Sequence, residues 1–133
     1  MTTIRPNFGP RSFAFACDIV RLYLALIDLP RFPPRLAGQL LDAGTSVGAN
    51  LEEGSAPASR KAKTNHFRIA LREARETKFW LRLIRATNLA PAHLTESLVR
   101  EADELVAILT VSVRNLAKPQ PRKGVATTLP DPS

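Results

Sequence analysis

Two adjacent carboxylates, Glu52 and Glu53 in the stretch SVGANLEEG, are the first candidates for acid–base chemistry. Neighbouring residues on a helix point about 100° apart, so these carboxylates do not face each other as a catalytic pair. The stretch also lacks the Lys-Ser/Thr ending of a phosphate-binding loop, and it places negative charge where an anion would bind. We therefore predict neither a catalytic dyad nor a phosphate loop here.

The histidines and the cysteine offer no better site. His66 and His93 lie far apart in the sequence, and neither has a second ligand at the helical spacing of a zinc site. Cys17 falls in an apolar helical pattern that is typical of a small buried side chain. A single cysteine also excludes an internal disulfide. The sequence thus predicts no catalytic residue, metal or cofactor; an enzyme would need a site assembled across subunits from groups such as His66 and Glu73.

The distribution of positive charge says more about function than these candidate catalytic and metal-binding residues do. The chain has 19 Lys and Arg against 12 Asp and Glu, a net charge of +7. Nine basic and two acidic residues lie between Arg60 and Arg85, so this segment carries a charge equal to that of the whole chain. Six of its residues fall within about 80° on a helical wheel. These six, called the basic stripe below, are Lys61, Arg68, Arg72, Arg75, Phe79 and Arg82.

The composition of the basic stripe indicates a polyanionic ligand. Guanidinium groups bind phosphate through two hydrogen bonds, and an exposed aromatic ring can stack on an unpaired base. A solvated helix face usually mixes charges, whereas the stripe contains no acid and has Glu76 only at its border. We predict contact with RNA or DNA. The alternative is a protein-interaction scaffold whose arginines dock an acidic partner and for which nucleic acid is incidental.

Four helical segments, separated by proline-marked turns, must position the stripe. We predict an all-α fold, an up-and-down antiparallel four-helix bundle over residues 11–117. Residues 1–10 form an N-terminal extension, and the proline-rich basic segment 118–133 reads as a disordered tail. The N-terminus has no signal-peptide core and the longest apolar region contains charges, so we expect a cytoplasmic protein without a membrane span.

The first helix is apolar on two faces. A bundle core covers one face, and the other needs a second subunit unless the helix is buried centrally in the monomer. The pattern does not distinguish the faces. One face comprises Phe13, Cys17, Val20, Leu24 and Ile27. The other, which we take as the oligomer interface, comprises Phe15, Ile19, Leu22 and Leu26.

The second helix is thin on one side, since Ala37, Gly44 and Gly48 share a face that lets a neighbouring backbone approach closely. On the third helix, Glu73 lies near the apolar side, where an unpaired carboxylate is costly. We expect Asn50 to donate a hydrogen bond to Glu73. The alternative is that Glu73 sits at the margin of the core and reaches water.

Two stretches of the sequence, SVGANLEEG and IALREARETKFWLRLIRATNL, carry a recognisable pattern. Its specific residues are Ser46, Ala49, Asn50, Glu53, Gly54, Ala70, Glu73, Glu76, Trp80 and Leu81. With this pattern the sequence resembles, over about Phe13 to Leu116, the bacterial four-helix bundle proteins first known as products of intervening sequences in large-subunit ribosomal RNA genes. Asp42 and Gly44 depart from the family pattern, in which we expect a basic residue and an alanine, and this argues against nucleic-acid contact by the second helix.

The resemblance implies a homopentamer in which the polar motif residues have a structural role. Those residues are Ser46, Asn50, Glu53, Gly54, Glu73 and Glu76. The chain is also similar to the accessory protein of diversity-generating retroelements, a basic pentamer that binds RNA or DNA and a reverse transcriptase. Together with the stripe, this gives the functional hypothesis of a non-enzymatic, homo-oligomeric bundle that binds nucleic acid and serves a reverse transcriptase or another nucleic-acid enzyme.

Overall fold

The computed structural model describes residues 8–56 and 59–119, and over these ranges the chain is helical and contains no strand. This confirms the predicted all-α class. The four helices are α1 (Phe8–Ile27), α2 (Pro34–Ser55), α3 (Arg60–Ala86) and α4 (Glu96–Ala117), with a 3-10 turn at Ala92–Leu94. The first helix starts at Phe8 and not at residue 11, and most of the predicted tail lies outside the described residues. None of the described helices combines the length and hydropathy of a membrane span.

Local sequence signals set the helix ends. Pro33 and Pro34 open α2, where a fixed φ suits the first turn and no amide hydrogen is needed. Ser59 precedes α3, and its hydroxyl oxygen accepts a hydrogen bond from the Ala62 amide at 3.1 Å. After α3, Asn88 adopts a positive φ of 55°, the left-handed conformation that commonly ends a helix.

Successive helices pack antiparallel. Gly44 and Gly48 of α2 meet Ile19 and Ser12 of α1 in reverse order, and Arg60 at the start of α3 reaches the end of α4. An ion-pair cluster joins the outer helices, in which Arg11 of α1 binds Glu101 at 2.7 Å and Glu104 at 2.9 Å.

The contact between α1 and α2 depends on two missing side chains. A Cβ added at Gly44 would lie 2.7 Å from Cγ1 and 3.1 Å from Cβ of Ile19. A Cβ added at Gly48 would lie 3.2 Å from the carbonyl oxygen of Ser12. These distances are shorter than ordinary van der Waals contacts. The predicted thin face of α2 is confirmed, and it is α1 that packs against it.

One prediction about α1 is wrong. The face assigned to the oligomer interface is buried inside the monomer, where Phe15, Ile19, Leu22 and Leu26 have at most 4% of their surface exposed. The physical reason is the thin face of α2, which brings Ile19 against Gly44 and turns that side of α1 inward. The opposite side is exposed. We call it the outer α1 face, and its exposed large side chains are Phe13, Val20, Leu24 and Ile27.

Replacing Gly44 by alanine should lower the free energy of unfolding by about 1–3 kcal/mol, because the new methyl group overlaps the base of the Ile19 side chain. Gly38→Ala is the matched control on the same helix. A Cβ at Gly38 meets nothing within 4 Å, so alanine should stabilise the helix by about 1 kcal/mol. Urea denaturation measures both changes. Equal effects of the two substitutions would contradict the proposed close contact.

Candidate nucleic-acid interface

The basic stripe lies on the solvent side of α3. All six of its side chains are exposed. The opposite side of the helix is buried in the core and includes Phe67, Ala70, Ala74, Thr77 and Leu81. From Lys61 to Arg82 the stripe extends about 32 Å along the helix axis, at about 1.5 Å per residue. The structure therefore presents the predicted residues together on one side of α3.

The stripe cations are available to an external ligand. Within residues 8–56 and 59–119, none of the five forms a salt bridge or a side-chain hydrogen bond. Some of the other basic residues are engaged: Arg11 binds two glutamates of α4, and Lys78 of α3 pairs with Asp103 of α4. Charge repulsion along an unpaired row of cations is relieved when a polyanion binds.

Phe79 is an exposed ring with support behind it. Its side chain is 52% exposed, and its centroid lies 5.1 Å from that of Trp80 in an edge-on arrangement. The Trp80 indole N–H donates a hydrogen bond to Glu76 at 3.1 Å, which fixes the indole. Edge-to-face ring pairs of this kind are favourable. Phe79 is thus held outward between Arg75 and Arg82, where a planar base could stack on it.

The contact between α2 and α3 includes polar motif residues. The Asn50 side-chain amide donates to the carbonyl oxygen and the hydroxyl of Ser46, both at 3.0 Å. Its carbonyl oxygen is 3.2 Å from Nδ1 of His66, so His66 donates to Asn50. The predicted bond from Asn50 to Glu73 is therefore wrong. In the antiparallel packing Asn50 is level with His66, whereas Glu73 lies two turns further along α3, nearer Asp42.

Of the other motif residues, Gly54 and Glu76 make structural contacts, and the Glu53 side chain makes no polar contact among the described residues. Gly54 is buried, and a Cβ added there would lie 2.9 Å from the ring of Phe67. Gly54 therefore has a packing role, because it lets Phe67 approach α2 closely. Glu76 orients Trp80 through the indole hydrogen bond. Glu53 is exposed, and its side chain forms no hydrogen bond or salt bridge within the described residues. The prediction that Glu53 fixes the local structure through a polar contact is not supported by this arrangement.

Glu73 sits half-buried at the margin of the core. Burial raises the pKa of its carboxyl group above the ordinary value of 4.5, the neighbouring charges of Glu76 and Asp42 raise it further, and Arg72 opposes them. This agrees with the alternative in which Glu73 lies at the core margin. Among the described residues, no group of three or more His, Cys, Asp or Glu side chains is placed to hold a metal ion.

Comparison with known proteins identifies the family. A protein-family model described as 23S rRNA-intervening sequence protein matches residues 10–111. The chain belongs to this family. A solved structure from Bacteroides thetaiotaomicron, described as a protein with unknown function from the S23 ribosomal protein family, is 33% identical and has a TM-score of 0.74. The match covers 80% of this chain and 98% of that one. Among curated proteins, none matches this chain.

Membership of the 23S rRNA-intervening sequence protein family confirms the resemblance drawn from the motif residues. The matched segment contains all of α2 and α3, so the basic stripe and the polar motif lie within the family domain. A shared fold does not establish an activity, and the solved relative is described as having unknown function. The function must be argued from the surface of this chain.

The raised pKa of Glu73 predicts a pH-dependent stability. The folded state binds the Glu73 proton more tightly than the unfolded state does. Ionised Glu73 therefore lowers stability at pH values above its pKa in both states, and this cost disappears below about pH 4.5. Glu73→Gln should therefore raise the melting temperature near neutral pH, and the gain should shrink as the pH falls towards that value. Glu53→Gln is the control for removing one carboxylate. The same gain in both variants, or at every pH, would contradict this account.

Proposed function

We propose that this protein is a non-enzymatic, homo-oligomeric four-helix bundle that binds the backbone of RNA or DNA along the basic stripe. The observation that carries this proposal is the row of five exposed, unpaired cations around a supported aromatic ring on one side of α3. Arginine suits phosphate because its planar fork donates two parallel hydrogen bonds.

Phe79 favours an unpaired strand as the ligand. Arg75 lies about 6 Å below Phe79 along the helix axis, and Arg82 about 4.5 Å above it. A strand following the stripe can place phosphates on the two arginines while one base stacks on the ring. Base–aromatic stacking contributes about 1–3 kcal/mol per base and tolerates any sequence. A duplex keeps its bases stacked internally and gains only the phosphate contacts.

Assembly into a ring would strengthen this binding. The outer α1 face exposes Phe13 at 67% and Leu24 at 55%, and a second copy that covered it would remove apolar surface from water. The family resemblance suggests five copies. Repeating the stripe around a ring converts weak phosphate contacts into avidity for one long nucleic acid. A reverse transcriptase or another nucleic-acid enzyme is the partner that such an assembly would serve.

Reversing the charges of Arg68, Arg72 and Arg75 to glutamate should weaken RNA binding about 100-fold or more. Losing three phosphate contacts costs about 3 kcal/mol, and the new carboxylates repel the strand. Fluorescence anisotropy with a labelled single-stranded RNA measures the affinity, and circular dichroism checks that helicity is unchanged. The matched control reverses three exposed arginines outside the stripe, Arg31, Arg35 and Arg100.

Equal loss of binding in the stripe variant and its control would contradict the proposal, because it would show that net charge alone drives binding. If wild-type protein binds no RNA or DNA but retains one stoichiometric acidic protein from nuclease-treated lysate, the scaffold function replaces the nucleic-acid function.

Leu24→Glu should dissociate the oligomer, because it places a charge in the middle of the outer α1 face. Light scattering coupled to size exclusion should give a multiple of 14.6 kDa for the wild type, fivefold for a pentamer, and 14.6 kDa for the variant. Val111→Glu is the matched control, since Val111 is 49% exposed on α4 and lies outside this face. A monomeric wild type, or an oligomer that survives Leu24→Glu, would contradict this assignment.

A further inference from the structure

A cavity of about 320 Å³ lies where the start of α3 meets the end of α4. Its lining includes four basic side chains, and among the described residues that line it none is acidic. The polar residues of the lining are Arg60, Lys61, Thr64, Arg68 and Lys118. Positive charges gathered in a concave, partly apolar site strengthen the local field and attract an anion.

Arg60 makes the cavity more favourable for an anion by binding the carbonyl groups at the end of α4. Its guanidinium donates to the backbone carbonyl oxygens of Asn115 at 3.0 Å and Leu116 at 3.1 Å. These carbonyls belong to the last turn of α4, where the helix dipole is negative and would repel an anion. Arg60 offsets that charge and fixes the end of α4 against α3. Lys61, Arg68 and Lys118 form no salt bridge within the described residues and remain available to a ligand.

We infer that this cavity binds a phosphate group of the strand that lies on the basic stripe. The inference rests on the proposed function, because Lys61 and Arg68 belong both to the stripe and to the cavity. A strand running along α3 towards its first turn arrives at the cavity. A phosphate held there sets the position of the strand along the stripe, because phosphate contacts fix the register in which a nucleic acid binds.

Lys118 distinguishes the cavity from the stripe, because it follows α4 and lies outside α3. We would compare Lys118→Gln with Arg114→Gln, which removes the same charge from an exposed position in the last turn of α4 and outside the cavity lining. Both variants are titrated with a labelled single-stranded RNA at several salt concentrations. Lys118→Gln should weaken binding about fivefold and lower the slope of log affinity against log salt by about 0.7, the value for one lost phosphate contact on a single strand. Arg114→Gln should change neither quantity by as much.

The phosphate can belong to a strand end or to the chain interior, and three RNAs of one sequence distinguish these sources. They carry a 5′-phosphate, a 3′-phosphate or neither. If one phosphorylated strand binds more tightly and Lys118→Gln removes the advantage, the cavity holds a terminal phosphate. If all three bind alike and Lys118→Gln still weakens them, it holds an internal phosphate. If Lys118→Gln and Arg114→Gln have equal effects on RNA that the wild type binds, the cavity inference is overturned while the stripe function stands.

A wild-type protein that binds no RNA or DNA would overturn the proposed function, and the cavity is then tested by itself with inorganic pyrophosphate. Isothermal titration calorimetry at constant ionic strength measures this binding. Pyrophosphate binding that Lys118→Gln abolishes and Arg114→Gln preserves supports a phosphate site in the cavity. Absence of pyrophosphate binding overturns it.

Discussion

The structure depends on the close approach of α1 and α3 to α2, which three glycines permit. A Cβ at Gly44, Gly48 or Gly54 would come within 2.7 to 3.2 Å of an atom on a neighbouring helix. With these side chains absent, α2 is thin towards both partners. This close packing selects the side of α1 that enters the core and seats Phe67 of α3 against Gly54. The orientation of α3 then leaves the basic stripe facing solvent along its whole length.

Basic residues have two roles in this bundle, and their position decides between them. Arg11, Arg60 and Lys78 lie where helices meet, and each binds an acidic side chain or a helix-end carbonyl. The stripe cations have no such partners within the described residues. A bundle that needed only solubility would interleave acids among them. We propose the binding surface on α3 because five cations without a partner in the described part of the chain lie there in one row, and the proposed phosphate site in the cavity at its first turn would extend that surface onto α4.

Helical periodicity predicted much of this arrangement from the sequence. The four helices, the thin side of α2 and the exposed stripe all follow from local patterns of residue type. The inward face of α1 could not be predicted from such patterns. Phe15 and Phe13 begin two apolar faces with the same spacing, and only the contact with Gly44 decides which one enters the core. The Asn50 partner was missed because a helical wheel does not give the register between α2 and α3. The cavity was missed because it combines Lys118 with residues far away in the sequence.

The central claim is that a nucleic-acid strand lies along the solvent side of α3. The most direct test is photo-crosslinking of the wild-type protein to a single-stranded RNA that carries a photoreactive base, followed by mass spectrometry of the crosslinked peptides. Binding along the stripe should give crosslinks concentrated between Lys61 and Arg82, with Phe79 among the modified residues if a base stacks on its ring. Crosslinks confined to α1 or α2, or none at RNA concentrations that saturate binding, would contradict it.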